Sequence, residues 1–493
     1  MAILSDLPVE ILEHILFFLP LEAWKQASLV CRQWSSLCSS RKCMANVLLR
    51  LSPDEHEGTD ICRLMSTSNR KYRHVLLKGD DDPEILPTVL DRFKNNLESL
   101  RMKNHYRRGM QINLDYLKRL FGCLTNLREL RIQTIIDFDD DEYEAVNVKR
   151  VRVQLPKMPH LRILYLENNS LESASFNWRE IAPNLEHLHM PHNGASSDFQ
   201  RLVRYYAPRL SSFGILFIAE EYGELGENVS FPHVRQLSLN CLSDIGYDRF
   251  ARLLRSFINL FELSLRHTLV PEFLSLVVDS YPSLVTLRLY DDLPQNGLKI
   301  ISKLPNLKHL FLFRVKLNRA MFAKADCFMS LEQLTLKYAD IDQLDETLPL
   351  IRERMPKVTN LEITETEQYQ AAAVCRYLCD LERLTIAWID HSMDPKLFAE
   401  LHRLDKLFEL RLFSHPHQVQ FSWTWFSRCL VFASLKYHSN CSRSSVHIIR
   451  KPRKKSGQHL PTASHRLPDL KLQSANFHRP RLSWFESGFP TVI

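Results

Sequence analysis

Glycine is scarce in this chain, with only 12 among 493 residues. That scarcity argues against glycine-rich phosphate loops and against flexible linkers, which depend on residues free of a Cβ. Long apolar runs are also missing: none approaches the ~20 residues that a membrane-spanning helix needs, so no membrane partner is expected. Asp6 and Glu10 lie within the first ten residues, and no basic stretch precedes the apolar one, so no signal peptide is expected. The 11 cysteines form an odd, scattered set. They fit reduced thiols, and hence cytoplasm or nucleus, better than a disulfide framework.

Chemistry-bearing constellations are equally thin. Cys375 and Cys379 have no companion His or Cys at metal-ligand spacing and read as buried thiols. His187 and His189 alternate along one stretch without a third ligand and read as surface residues. No nucleophile–base pair or paired carboxylates stand out. The chain is therefore expected to be non-catalytic, with no cofactor and no metal.

Charge is unevenly spread. Residues 442–493 hold ten Lys and Arg against two Asp and Glu, a net of +8 within a chain total of +7, which leaves −1 for residues 1–441. Nucleic acid is thus an unlikely partner for the body of the protein. The segment 442–493, with its basic run Arg450–Lys455, is expected to be a disordered tail. A second charged run, the acidic Asp137–Glu144, reads as a solvated loop.

What is abundant is one phrase, Leu-x-x-Leu-x-Leu. Its clearest forms start at Leu161, Leu284, Leu307, Leu331 and Leu407. Allowing another apolar residue in one slot adds starts at Leu97, Leu127, Leu185, Leu210, Val234, Leu260, Val358 and Leu381, thirteen copies in all, 23 to 34 residues apart. Tyr72–Leu77 fits a degenerate capping copy, and Phe432–Tyr437 another. A fixed period of this length marks a solenoid, whose units bury their apolar faces only against each other. The fourth and sixth positions point to one face of a short strand. The segments between carry helical patterns such as Phe250, Leu253, Leu254 and Phe257, and seven repeats place a Pro two residues before their first Leu, where a helix must end. The pattern resembles leucine-rich repeats. That resemblance implies an α/β solenoid, curved, with parallel strands on the concave face and helices on the convex one. An Asn three positions after the last Leu, as at Asn169 and Asn193, is expected to tie off loop backbone.

Residues 5–43 form a separate unit. Ser5-Asp6 offers an N-cap and Pro8 a first helical position, followed by Leu7, Ile11, Leu12, Ile15, Leu16 and Leu19 at helical spacing up to Pro20. A second helical stretch begins near Leu21, and a third carries Leu29, Val30, Cys31, Trp34 and Leu37. Three short helices bury too little for a core of their own, and the first is apolar on nearly all sides, which calls for cover. Leu7-Pro8-x-Glu10-Ile11-Leu12, Ile15, Phe18-Leu19-Pro20 and Leu29-Val30-Cys31-Arg32-x-Trp34 resemble an F-box.

F-box and leucine-rich-repeat (FBXL-type) proteins are substrate-recognition subunits of Skp–cullin–F-box ubiquitin ligases. The resemblance implies an F-box over residues 1–45 that docks a Skp-type adaptor and, through it, a cullin. Leu7, Pro8, Ile11, Ile15 and Leu16 would lie on or near the adaptor surface; Cys31 and Trp34 would pack the module and border it. Residues 46–96 would form a connecting region and capping repeat, and 97–441 the repeat solenoid, which would bind an unknown protein for ubiquitination and proteasomal degradation. The competing readings are a non-ligase scaffold and a nucleic-acid-associated protein acting through its tail.

Positions two, four and six residues after each repeat start should form stripes on the concave face, since neighbouring strands lie about 4.8 Å apart. The later repeats bring together Arg266, Arg288, Tyr290, His309, Phe311, Phe313 and Lys337, a candidate target-binding surface with clustered rings and cations suited to an acidic or phosphorylated peptide. Arg101, Lys103 and Arg131 make a weaker, earlier basic patch.

Overall fold

The structure, a computed structural model, describes residues 7–51 (except 20 and 41), 70–78, 90–105, 124–135, 156–167, 174–192, 197–217, 229–241, 246–266 and 269–388 (except 367). It also describes residues 63, 65, 122, 151–153, 400–401, 403–407, 409–414, 432–438 and 443–449. These fall into two compact units, one within Met1–Val358 and one within Thr359–Ser483.

The first unit opens with three helices: α1 (Val9–Phe17), α2 (Leu21–Ser28) and α3 (Arg32–Cys38). Pro8 immediately precedes α1, and its carbonyl accepts from the amides of Ile11 and Leu12 at 3.0 Å. Pro8 is thus the cap rather than the first helical residue, while Ser5 and Asp6 lie outside the described residues. Leu29 and Val30 sit in the turn between α2 and α3, not in the third helix. Leu12, Leu16, Trp24, Ala27, Leu37 and Cys38 form the small core. A 3₁₀ turn, Cys43–Asn46, leads directly into a strand at Leu48–Leu51, whose alternating burial marks it as the first strand of the sheet. That strand lies in the stretch read from sequence as a connection.

A parallel ladder then runs through twelve strands. Leu48–Leu51 pairs with His74–Lys78, then in turn come Ser99–His105, Glu129–Ile135, Ile163–Glu167, His187–His192, Ser212–Phe217, Gln236–Cys241, Glu262–Arg266, Thr286–Leu289, His309–Phe313 and Gln333–Lys337. Equivalent repeat positions stand opposite one another: Leu237↔Leu263, Leu263↔Leu287, Leu287↔Leu310 and Leu310↔Leu334. A register slip would move every Leu to the other face, so the buried face locks the phase. The core face holds the fourth and sixth positions of the phrase, as with the sealed Leu287, Leu289, Leu310 and Leu312. Helices Tyr247–Arg255, Pro271–Ser280, Gly297–Ile301, Arg319–Lys324 and Leu344–Arg354 fill successive crossovers and pack in chain order, as parallel strands require.

The prolines do more than end helices. Asn184 Nδ2 donates to the Pro159 carbonyl at 2.9 Å, Asn259 to Pro232 at 2.8 Å and Asn306 to Pro282 at 3.1 Å; Ser330 Oγ donates to Pro305 at 2.6 Å. Each donor immediately precedes a repeat start, and each acceptor is the residue two before the start of an earlier repeat. This side-chain ladder ties turn to turn at the strand-entry edge. Asn169 and Asn193, expected to tie off loop backbone after the last Leu of their phrases, lie outside the described residues.

Within the second unit, Asn360–Thr366 pairs parallel with Arg383–Trp388, and that strand with Glu409–Ser414. The next strand, Arg443–Ile449, pairs antiparallel with both Glu409–Ser414 and Phe432–His438. The phrase at Phe432–Tyr437 is therefore one arm of an antiparallel pair and not a further repeat, and the segment expected to be a disordered tail begins with a strand. A hairpin at this edge satisfies the ladder groups that another parallel strand would otherwise use. Residues 450–493 and the acidic run 137–144 lie outside the described residues.

Candidate functional site

Two surfaces stand out, the outward side of the three helices and the strand face turned away from the crossover helices. On the first, α1 aims only Leu12 and Leu16 inward. Ile11 is 49% exposed, Ile15 41% and Phe18 70%, and Leu29 and Val30 in the following turn reach 79% and 65%. Pro8 is exposed and Leu7 half-buried. Leu16 therefore belongs to the core and not to the surface on which it was expected, because it stands one turn after Leu12 on the inward stripe. Cys31 is exposed and caps α3, its Sγ accepting from the Trp34 amide at 3.5 Å, so it orders the helix start rather than packing the module. Trp34 is half-buried. Apolar spacing puts Leu29 and Val30 in a helix, and only the turn geometry exposes them. Phe18 was legible as part of an all-apolar first helix.

Glu13 ties α1 to the segment that links α3 to the first strand. Its carboxylate accepts from the Ser40 hydroxyl and lies 3.9 Å from Lys42 Nζ. Arg70, just before the second strand, places its guanidinium 5.9 Å from the Trp24 ring centre. Burial pushes the Cys38 thiol up to about 11, so it stays protonated and unreactive.

The inner strand face carries one register row: Arg101, Arg131, Tyr165, His189, Gly214, Ser238, Ser264, Arg288, Phe311 and Thr335. Its early part is internally satisfied. Glu129 is buried and accepts from Ser99 Oγ at 2.7 Å and from Arg101 Nη2 at 3.1 Å, and Arg131 Nε reaches its other oxygen. Burial opposes this carboxylate's charge, but the Ser99 hydroxyl and the two guanidiniums outweigh it and hold it below its usual range. Arg131 sits 5.8 Å from the Tyr165 ring centre, and Tyr165 stacks on His189 at 5.0 Å. The Lys103 side chain lies outside the described residues.

His187 and His189 are not free surface residues. His189 Nε2 lies 2.8 Å from Ser212 Oγ, and His187 Nε2 lies 3.3 Å from Ser211 Oγ. The serine–histidine contact joins neighbouring repeats, so no sequence spacing could reveal it. Burial, reinforced by Arg131, takes His189 down to about 3. It cannot accept a proton near neutrality, and the pair orders the sheet face instead of forming a nucleophile and base. Gly214 makes room for this ring: a Cβ there would lie 2.0 Å from His189 Nδ1.

Further along the face, the expected residues do converge. Tyr290 lies 5.5 Å from both Phe311 and Phe313, whose rings are nearly parallel at 6.5 Å. Lys337 Nζ stands 5.6 Å from the Phe311 ring centre. Arg288 pairs with Glu262, which also accepts from Gln236 Nε2 at 3.3 Å. His309 Nδ1 meets Thr286 Oγ1 at 3.2 Å, and its burial lowers its proton affinity. Arg266 lies on the adjacent strand, opposite Asn240. Two members were missed. Tyr338 packs on Phe313 at 5.0 Å and the Arg314 guanidinium lies 5.6 Å from that ring. Both have left-handed backbone, φ 53° and 54°, a conformation that strand periodicity does not anticipate.

Among the described residues no group of three or more His, Cys, Asp or Glu is placed to hold a metal ion, and no helix is long and apolar enough to cross a membrane.

Comparison with known proteins sets these surfaces in context. Residues 4–50 match the F-box-like family. A solved plant peptide hormone receptor, RGFR1 in complex with RGF2, aligns over 74% of this chain and 63% of its own at 16% identity, with a TM-score of 0.23, too loose a superposition to support any inference. Comparison with the curated proteins finds no match.

Proposed function

We propose that this protein is a substrate-recognition subunit of a Skp–cullin–F-box ubiquitin ligase. The observation that carries the reading is the outward apolar surface of residues 9–30, inside the segment similar to F-boxes: Ile11, Ile15, Phe18, Leu29 and Val30 are exposed while Leu12 and Leu16 make the core. Such a surface on so small a unit calls for a protein partner, and a Skp-type adaptor is what the family match supplies.

The parallel array then offers the target surface, centred on Tyr290, Phe311 and Phe313. The short 3₁₀ turn into the first strand couples the two without a long linker. Holding a target beside a charged conjugating enzyme raises its effective concentration, so the subunit accelerates transfer by proximity and contributes no reacting group.

The test is co-purification of the full chain with a Skp-type adaptor and cullin. Ile11→Ala/Ile15→Ala is expected to weaken adaptor binding by about 1,000-fold, roughly 30-fold for each residue, since buried anchors contribute ~2 kcal/mol or more each. Undiminished adaptor capture by that variant, or absence of cullin from the wild-type complex, would overturn the ligase reading.

A further inference from the structure

The ring cluster on the inner face has a charge pattern that narrows its ligand. Phe311 and Phe313 are alternate residues of one strand and project to the same side. Tyr290 and Tyr338 flank them, giving a cluster of three half-buried rings and one exposed ring, Tyr338, on the strand face turned away from the described crossover helices. Clustered rings of this kind anchor partner side chains. Among the described residues of the strands Glu262–Arg266, Thr286–Leu289, His309–Phe313 and Gln333–Lys337, the charged side chains on this face are Arg266, Arg288 and Lys337 against Glu262; Arg314 follows a strand end and turns onto Phe313, and burial keeps His309 neutral.

Acids do occur nearby, at Asp291, Asp292 and Asp340, but they follow the strand ends at the sheet edge, where Asp292 accepts the Lys316 backbone amide at 2.9 Å. A ligand over the rings meets cations; one extending past the edge meets carboxylates. The cations are also dispersed. Arg288 is committed to Glu262, while Lys337 and Arg314 stand over different rings. They form no converging guanidinium fork of the kind that grips a phosphate dianion. Beside Arg288 the row drops to the small side chains of Ser264 and Ser238, which leaves room for a segment running across these strands. The chain's own residues 442–493, at net +8, have the wrong sign to fill it.

We propose that this cluster binds an acidic segment of another protein, with an aromatic side chain stacked on Phe311 and Phe313 and Asp or Glu carboxylates facing Lys337 and Arg314. The proposal rests on the inner face being the target-binding surface.

The experiment pans a random peptide library against the full chain, counter-selected with Phe311→Ala/Phe313→Ala. Ring-dependent binders enriched in aromatic and acidic residues are expected. Lys337→Glu/Arg314→Glu should weaken them by about tenfold or more, with adaptor binding unchanged as the control for folding. Ring-dependent binders that are basic or uncharged would overturn the acidic class while keeping the surface. Binders that require a phosphate would overturn the carboxylate assignment. Absence of any ring-dependent binder would remove the surface itself, and with it the target-binding half of the proposed function.

Discussion

In α1 only Leu12 and Leu16 turn inward while Ile11, Ile15 and, just past its end, Phe18 face out; in the strand Thr286–Leu289 both leucines are sealed. Of thirteen large apolar residues exposed among the described residues, seven fall within residues 9–30 and six are scattered through the repeats. The two regions use the same residue types for opposite ends. A repeat closes its apolar face against the next copy, so its leucines stabilise the fold. A short helical unit has no second copy to close against, and its excess apolar surface is left for a partner. Apolar density alone does not separate core from interface; the presence of a neighbour does.

The same kind of truncation should therefore have opposite consequences. Leu287→Ala should cost about 2–5 kcal/mol in denaturant unfolding, the transfer and cavity cost of a sealed leucine. Ile11→Ala should stay within about 0.5 kcal/mol, as substitutions outside a core do, and register only in adaptor binding. A large stability loss at Ile11 would place it in a core and erase the distinction.

Gly214→Ala tests how tightly the inner face is packed. The His189 ring would have to leave its place between Tyr165 and Ser212, at about 1–3 kcal/mol. His189→Ala should remove most of that penalty, giving a non-additive pair. The same ring yields a pH signature. Its folded pKa of about 3 lies below the ordinary 6.5, so the unfolded chain binds more protons between the two values. Its contribution to stability is complete above about pH 6.5 and declines as pH falls toward 3, a slope that His189→Asn should reduce.

A smaller effect than that of Gly214→Ala belongs to the edge ladder. Asn259→Ala removes the 2.8 Å bond to the Pro232 carbonyl and should cost about 0.5–1.5 kcal/mol. Asn259→Ser, matching the arrangement of Ser330 on Pro305, should recover part of it.

Much of this was written along the chain. The leucine period determined the parallel strands, their register and their buried face, because a repeated apolar spacing leaves one phase in which every copy is covered. It also brought Tyr290, Phe311, Phe313 and Lys337 to one face, since strand periodicity fixes which side chains share a side. The apolar excess in residues 7–20 was likewise visible as a surface in need of cover. Other features depended on contacts between repeats or on local backbone that no spacing encodes. Leu16 went to the core with Leu12 on the inward stripe of α1, and Leu29 to the surface through the turn between α2 and α3. His189 met Ser212 and Gly214 across a strand pair, and Arg314 and Tyr338 turned onto Phe313 through left-handed backbone. The repeats ended in an antiparallel strand because pairing at a sheet edge is chosen by whichever segment can reach it, a choice made only in three dimensions.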